Sequence, residues 1–303
     1  MSKKGIVIAA AVALVALYGV HVYRHHRATS EPKPAATVIT PGEHKASTAA
    51  AEAPAAKSHD QELVDQHSAN LEAHKGDPAN EYYQRGLAYT RMKQYRLAVE
   101  DFSNALKLVP KSPNVLYARA LAYREESMLD NAVNDLNAAI DAQKGFADAY
   151  NTRGLIYVDQ GNFSGAQDDY NNAILANPKF TDAYFNQGTL YMRLKKYDEA
   201  KASFTKAISA SVPPNNATPD DLSSMKVKLM QAYINLATAE LLLNDLPAAL
   251  KDATYVVTND PKNVQALRVR SQIYDRMGNS AAAVADTAAA DGLGMQNMLD
   301  HKQ

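Results

Sequence analysis

Residues 147–180 read ADAYNTRGLIYVDQGNFSGAQDDYNNAILANPKF, and this stretch decides the fold. The next 34 residues, TDAYFNQGTLYMRLKKYDEAKASFTKAISASVPP, keep its frame: Tyr150 answers Tyr184, Gly154 answers Gly188, Tyr157 answers Tyr191 and Ala166 answers Ala200. Tyr170 and Phe204, then Ala173 and Ala207, complete the match. Upstream, Tyr89 and Tyr123, Ala98 and Ala132, Phe102 and Leu136, and Ala105 and Ala139 extend the same ladders. Gly86 holds the glycine place, and Ala120 stands in it once. Several ladders in one 34-residue frame mark a chain of repeated structural units.

Each unit reads as a helix pair. Tyr82, Gly86 and Tyr89 are four and three residues apart, so they share one helical face. Ala98, Phe102 and Ala105 repeat that geometry on a second helix. Lys93-Gln94-Tyr95 and Gln160-Gly161-Asn162-Phe163 read as the turns between. Small residues at the glycine and first alanine places let the two helices approach closely, and the aromatic fills the space toward the neighbouring unit. One pair cannot bury both of its faces, so the units must stack.

At these residues the chain resembles the tetratricopeptide repeat (TPR) family. Tyr82, Gly86, Tyr89, Ala98, Phe102, Ala105 and Pro110 match its pattern, as do Tyr150, Gly154, Tyr157, Ala166, Tyr170, Ala173 and Pro178. A third match runs through Tyr184, Gly188, Tyr191, Ala200, Phe204 and Ala207. The second unit departs from it, with Leu116, Ala120 and Lys144. Four units are expected at 79–112, 113–146, 147–180 and 181–214. The frame then slips. Residues 215–229 read as a loop and an extra helical turn, with Asp220 or Asp221 capping a helix to about Leu243. Residues 230–297 read as two degenerate units and a cap, with Ala253 and Thr287 in place of the ladder aromatic, and 298–303 as a tail. The resemblance implies an all-α protein, a right-handed solenoid of helix-turn-helix units.

Ahead of the repeats the composition changes twice. Residues 5–23 read GIVIAAAVALVALYGVHVY, a run just long enough to cross a bilayer. Lys3, Lys4, Arg24 and Arg27 flank it, and Tyr18 and Tyr23 sit where interfacial aromatics are expected. Residues 1–27 are therefore expected to be a membrane anchor. A cleavable signal peptide is the competing reading, but Tyr, Val, His and Arg near the end of the run suit cleavage poorly. The basic flanks nearly tie on orientation. An extracytoplasmic, periplasmic body is the first expectation and a cytosolic body the second. Residues 28–60 hold ten Ala and four Pro without an apolar period and read as a disordered linker. Residues 61–78 read as a capping helix begun by Asp60 and ended at Gly76-Asp77-Pro78.

Composition narrows the chemistry. The 303 residues include no Cys, which excludes disulfides, thiolate metal sites and Cys nucleophiles. Residues 1–60 carry a net +3 and residues 61–303 a net −4, without the basic surplus of a nucleic-acid-binding domain. No His lies between residues 75 and 300, so the repeats hold no imidazole for acid–base work or metal binding. His21 and His25 have metal-ligand spacing but fall at the membrane run and its basic flank. Asp168-Asp169 reads as solvated surface and Asp220-Asp221 as helix-start charge. Asn162-Phe163-Ser164 and Asn216-Ala217-Thr218 match a glycosylation triplet by chance. The chain is expected to be no enzyme, and no cofactor, metal, nucleic acid or small-molecule substrate is expected.

The resemblance also implies a binding groove lined by the first helix of each unit. Carried over by position, Tyr83, Tyr117, Asn151 and Phe185 face it, with Leu87, Leu121, Leu155 and Thr189 below them and Arg91 and Arg193 on the rim. Asn80, Asn114, Asp148, Asp182, Arg124, Met192, Glu125 and Asp159 occupy further groove positions. Such a surface suits a protein or peptide segment. The places at which some family members grip a chaperone's terminal carboxylate hold Tyr83, Leu87, Ala118, Asp148 and Thr152, or one unit later Tyr117, Leu121, Thr152, Asp182 and Asn186. Neither set is cationic, so no such clamp is expected. The expected function is a membrane-anchored scaffold at the cell envelope, assisting secretion or complex assembly. The alternative is an organelle import or docking receptor with a cytosolic repeat domain.

Overall fold

A computed structural model describes residues 57–213 and 216–300, with side chains to residue 295. The expected anchor at 1–27, nearly all of the 28–60 linker and the end of the tail lie outside the described residues. Among the described residues no helix is long and apolar enough to cross a membrane. The chain forms two compact bodies that divide between Pro110 and Lys111.

The first body holds α1 (His59–Glu72), α2 (Pro78–Arg91) and α3 (Tyr95–Leu108). Ser58, not Asp60, caps α1: its hydroxyl accepts from the Gln61 amide at 3.2 Å. Asp60 lies one residue inside the helix, and its carboxylate accepts from Arg91 Nε at 2.5 Å. Asp77 caps α2 with Pro78 in the first turn, where a missing N–H costs nothing. Val64 buries an apolar edge of α1, but polar contacts dock it as well. Glu81 of α2 is buried and accepts from Asn70 at 3.0 Å and lies 2.7 Å from His67 Nδ1, while Arg85 donates to Ser68 at 3.0 Å.

The second body runs through α4 (Pro113–Glu125), α5 (Leu129–Ala142), α6 (Ala147–Asp159), α7 (Phe163–Ala176), α8 (Thr181–Arg193) and α9 (Tyr197–Ala210). It continues through α10 (Pro219–Leu242), α11 (Leu246–Asn259), α12 (Val264–Arg276) and α13 (Ser280–Asp300). Each helix packs on the next, and α6 on α8 and α8 on α10 bring the first helices of successive units side by side. α10 starts earlier than the expected extra turn. Its cap is Thr218, which exchanges hydrogen bonds with Asp221 at 3.0 and 3.2 Å, so Asp221 completes the cap from inside the helix.

Two features make the frame physical. The residue opening each intra-unit turn adopts positive φ, from 58° to 78°, at Lys93, Ser127, Gly161, Lys195, Asn244 and Gly278. The second is the fit between helices. A Cβ added to Gly86, Gly154 or Gly188 would stand 2.6–2.8 Å from a ring carbon of Phe102, Tyr170 or Phe204. Each of those rings is nearly or wholly buried. Where the second helix offers a smaller side chain, the first carries a larger one: Ala120 with Leu136, and Ala237 with Ala253. In the last unit Ser271 and Thr287 join their hydroxyls at 2.8 Å.

Candidate peptide-binding face

A polar ladder holds the helices that carry this face. Arg85 grips Asp101 through two N–H groups at 2.6 and 2.7 Å, and Arg119 grips Asp135 at 2.7 and 2.8 Å. Arg153 with Asp169 and Arg270 with Asp286 do the same, always sixteen residues apart. All four aspartates are buried. Asp169 is therefore no solvated surface group. Its neighbour Asp168 is exposed, and the helix turns 100° between them. Burial raises the Asp169 carboxyl above its ordinary value while Arg153 pulls it down. Unit four replaces the ion pair with Gln187 and Ser203, hydrogen-bonded at 3.0 Å. The same side chains also reach the preceding unit: Arg153 donates to Asn137 at 2.5 Å and Gln187 to Asn171 at 2.8 Å. The Arg and Asp of this ladder stand in the same sequence frame as the glycines and alanines, though nothing local marks the aspartates as buried.

In the first body Tyr83 and Leu87 are half-buried on α2, with the Tyr83 ring 6.0 Å from that of Phe102. Arg91 is exposed but not a free rim charge, because Asp60 of the capping helix holds it.

In the second body α4, α6 and α8 present the expected residues in turn. Tyr117 and Leu121 are half-buried on α4, and Leu155 on α6. Phe185 and Thr189 are half-buried on α8, with Arg193 exposed at its end. The Tyr117 hydroxyl lies 3.3 Å from that of Thr152, and its ring 5.1 Å from Phe146. The Phe185 ring meets Phe204 edge-on at 5.7 Å, and Thr189 donates to the Phe185 carbonyl. The Arg193 guanidinium lies 4.7 Å over the Phe163 ring. The charges of Arg124 and Arg193 both act on Asp159.

Two expected groove residues do not fit that role. Asn151 is buried and accepts from Asn186 at 2.9 Å, so it ties α6 to α8 and offers a partner little surface. Met192 is 2% exposed, covered by Phe204 of α9 and by Leu236 and Ala239 of α10. Asp182 meets Lys228 of α10 at 2.9 Å. Asn162 accepts from the Gly165 amide as the cap of α7, a structural use for a residue of the glycosylation triplet. Among the described residues no group of three or more His, Asp or Glu is placed to hold a metal ion.

Stacked helix pairs joined by a repeated polar and steric frame define a helical-repeat solenoid of the kind used as a protein-interaction scaffold. Residues 79–112 and residues 151–216 each match a family model described as tetratricopeptide repeat. Among solved structures, the C-terminal part of a TPR repeat-containing protein from Cytophaga hutchinsonii matches with TM-score 0.60 at 18% identity, over 77% of this chain and 90% of that one. PilF of Pseudomonas aeruginosa gives 0.55 at 16% identity, over 76% and 90%. YrrB, described as a TPR protein with an unusual peptide-binding site, gives 0.54 at 18% identity, over 66% and 96%. At these identities the likeness is one of fold. No curated protein matches the sequence.

Proposed function

We propose that this chain is a membrane-tethered scaffold at the cell envelope, with its repeats outside the cytoplasm, which takes a segment of a partner protein along its first helices and so assists secretion or assembly of an envelope complex. One observation carries the binding reading. Tyr117, Leu121, Leu155 and Phe185 stay half-exposed on three successive first helices instead of completing the core. They present apolar edges with hydroxyl groups beside them, the chemistry that holds an extended or helical peptide. That YrrB is described by its peptide-binding site adds support. The tether reading rests on the apolar run 5–23 and the Ala- and Pro-rich residues 28–60.

A photo-crosslinking residue at Leu155 tests the face, with Leu175 of α7, 80% exposed, as the control. Leu155 is expected to capture a protein that Leu175 does not. Equal labelling at the two positions, or none at either, sinks the reading. Protease added to cells with a permeabilised outer barrier tests the side of the membrane. Digestion of the repeats is expected there. Digestion only after the inner membrane is broken places them in the cytosol and favours the docking-receptor alternative.

A further inference from the structure

Unit five breaks the polar frame. Where other units carry Arg85, Arg119, Arg153 and Arg270, it has Leu236, yet the opposite aspartate persists as Asp252. Where every other unit has Tyr89, Tyr123, Tyr157, Tyr191 or Tyr274, it has Glu240. Glu240 is 4% exposed, so a carboxyl replaces a phenol inside the packing of α10. Its Oε1 lies 3.2 Å from Lys201 Nζ of α9. Its Oε2 is buried with no hydrogen-bond partner. The Lys201 ammonium is shared, because it also donates to Asp245 at 2.7 Å.

Asp252, on α11, is half-buried, and it and Glu240 act on each other's carboxyls. Lys201 answers only Oε1 of Glu240, so with both carboxyls ionised Oε2 is a buried oxygen with no donor, which is costly. A single proton resolves this: one carboxyl becomes an O–H that donates to the other. The charges acting on Glu240 are Lys201 from α9, Asp245 from the turn before α11 and Asp252 from α11, with Lys251 acting on Asp252 in turn. α8 and α12 also touch α10, the first through Met192 and the second through Val269 and Ile273, with the exposed Asp182–Lys228 pair at the far end.

We propose that Glu240 and Asp252 form a proton-operated joint, in which one shared proton closes α11 on α10 and its loss loosens unit five. Burial first, and then the Asp252 charge, push the Glu240 carboxyl up to about 7. Burial raises the Asp252 carboxyl as well. A carboxyl that holds its proton longer in the fold than in the unfolded chain costs stability as pH rises. The cost is absent below the ordinary carboxylate value, grows up to about 7 and stays in full above it. The joint is therefore tight in mild acid and loose in mild base.

Hydrogen exchange on the full chain tests this, with rates at pH 5.5 and pH 8 corrected for the intrinsic pH dependence. Amides of α10 and α11 are expected to open about tenfold more readily at pH 8, the equivalent of one pKa unit. Those of α4 and α5, held by Arg119 and Asp135, are the reference and stay level. In Glu240→Gln the side-chain amide can donate to Asp252 without the Glu240 proton, so the difference between the two pH values shrinks to the part that Asp252 alone supplies. Opening of α10 and α11 that is level with pH in the unmodified chain overturns the proposal, and so does an equal pH response in the variant. Protection restored at pH 8 by calcium or magnesium overturns it in favour of a cation between the carboxylates. If the variant does not fold, the carboxyl carbon shift of Glu240 in the unmodified chain decides. A midpoint near neutrality supports the joint, and one at the ordinary carboxylate value removes it.

Discussion

Gly154 and Tyr170 sit so close that a Cβ on residue 154 would lie 2.8 Å from the tyrosine's Cε1. The nearest atoms belong to a ring whose side chain is wholly enclosed, so it has nowhere to retreat. Gly154→Ala is expected to destabilise the second body by about 1–3 kcal/mol, the usual cost of overpacking. Adding Tyr170→Leu copies the Ala120 and Leu136 pair of unit two and is expected to recover more than half of the loss. Denaturant unfolding of the single and double variants checks both. An unchanged midpoint for Gly154→Ala means that the helices do not meet here.

Arg153 and Asp169 test the polar ladder. Asp169→Asn keeps the shape but leaves a mostly buried guanidinium without its charge partner. A loss of about 3 kcal/mol is expected, the low end for breaking a buried pair because Arg153 keeps some solvent contact. The double change Arg153→Gln with Asp169→Ser copies Gln187 and Ser203 and is expected to cost less than the single one. Molar salt is expected to move the stability of the unmodified pair little, since screening acts mainly on exposed charges. Equal losses for the single and double variants, measured by chemical denaturation, would show that the pairing itself contributes nothing.

The helix pairs were legible because steric fit leaves its trace in residue size, and Gly154 with Tyr170 or Ala120 with Leu136 repeat in one frame. The polar ladder is equally periodic but not legible, because a charged residue such as Asp169 reads as surface until its partner on the other helix is known. The cap of α10 lies two or three residues before the expected Asp220 or Asp221: the two carboxylates suit a helix start, but Thr218 supplies the hydroxyl that the Asp221 amide needs. The candidate face was legible only by position in the unit. That rule ignores what packs over each residue. It counted Met192, which α10 covers, and Arg91, which Asp60 holds from 31 residues away. Contacts at such separations leave no local period to read.

Glu81 gives the first body an acid-sensitive latch. The hydrogen bond from His67, followed by that from Asn70, holds its carboxyl below the ordinary value. A carboxyl depressed in the fold contributes its full stabilisation above the ordinary value, about 4.5, and loses it as pH falls through the lowered one. α1 is therefore expected to stay protected from hydrogen exchange at pH 6 and to open at pH 3.5, ahead of α2 and α3. Glu81→Gln is expected to open α1 at both pH values and to erase the difference between them. Protection of α1 that survives at pH 3.5 in the unmodified chain counts against the latch.

Phe185 decides whether the proposed face binds. It combines an exposed edge with a ring contact to Phe204, so it serves both the core and the surface. Phe185→Ala is expected to cost roughly 2 kcal/mol of stability, less than a fully buried phenylalanine would. It is also expected to weaken the partner captured through Leu155 by about 1–2 kcal/mol or more, as for an aromatic anchor in an interface. Two controls separate these effects when titration calorimetry is run well below each variant's melting point. Tyr157 packs against the Tyr170 cluster. Its truncation is expected to lower the melting temperature while affinity at low temperature holds. Arg193, exposed and stacked on Phe163, is expected on truncation to change the salt dependence of the association rate more than the affinity. If Phe185→Ala keeps full affinity while Tyr157→Ala loses it, the partner lies on the other face of the helix pairs, and the row from Tyr117 to Arg193 is ordinary solvated packing.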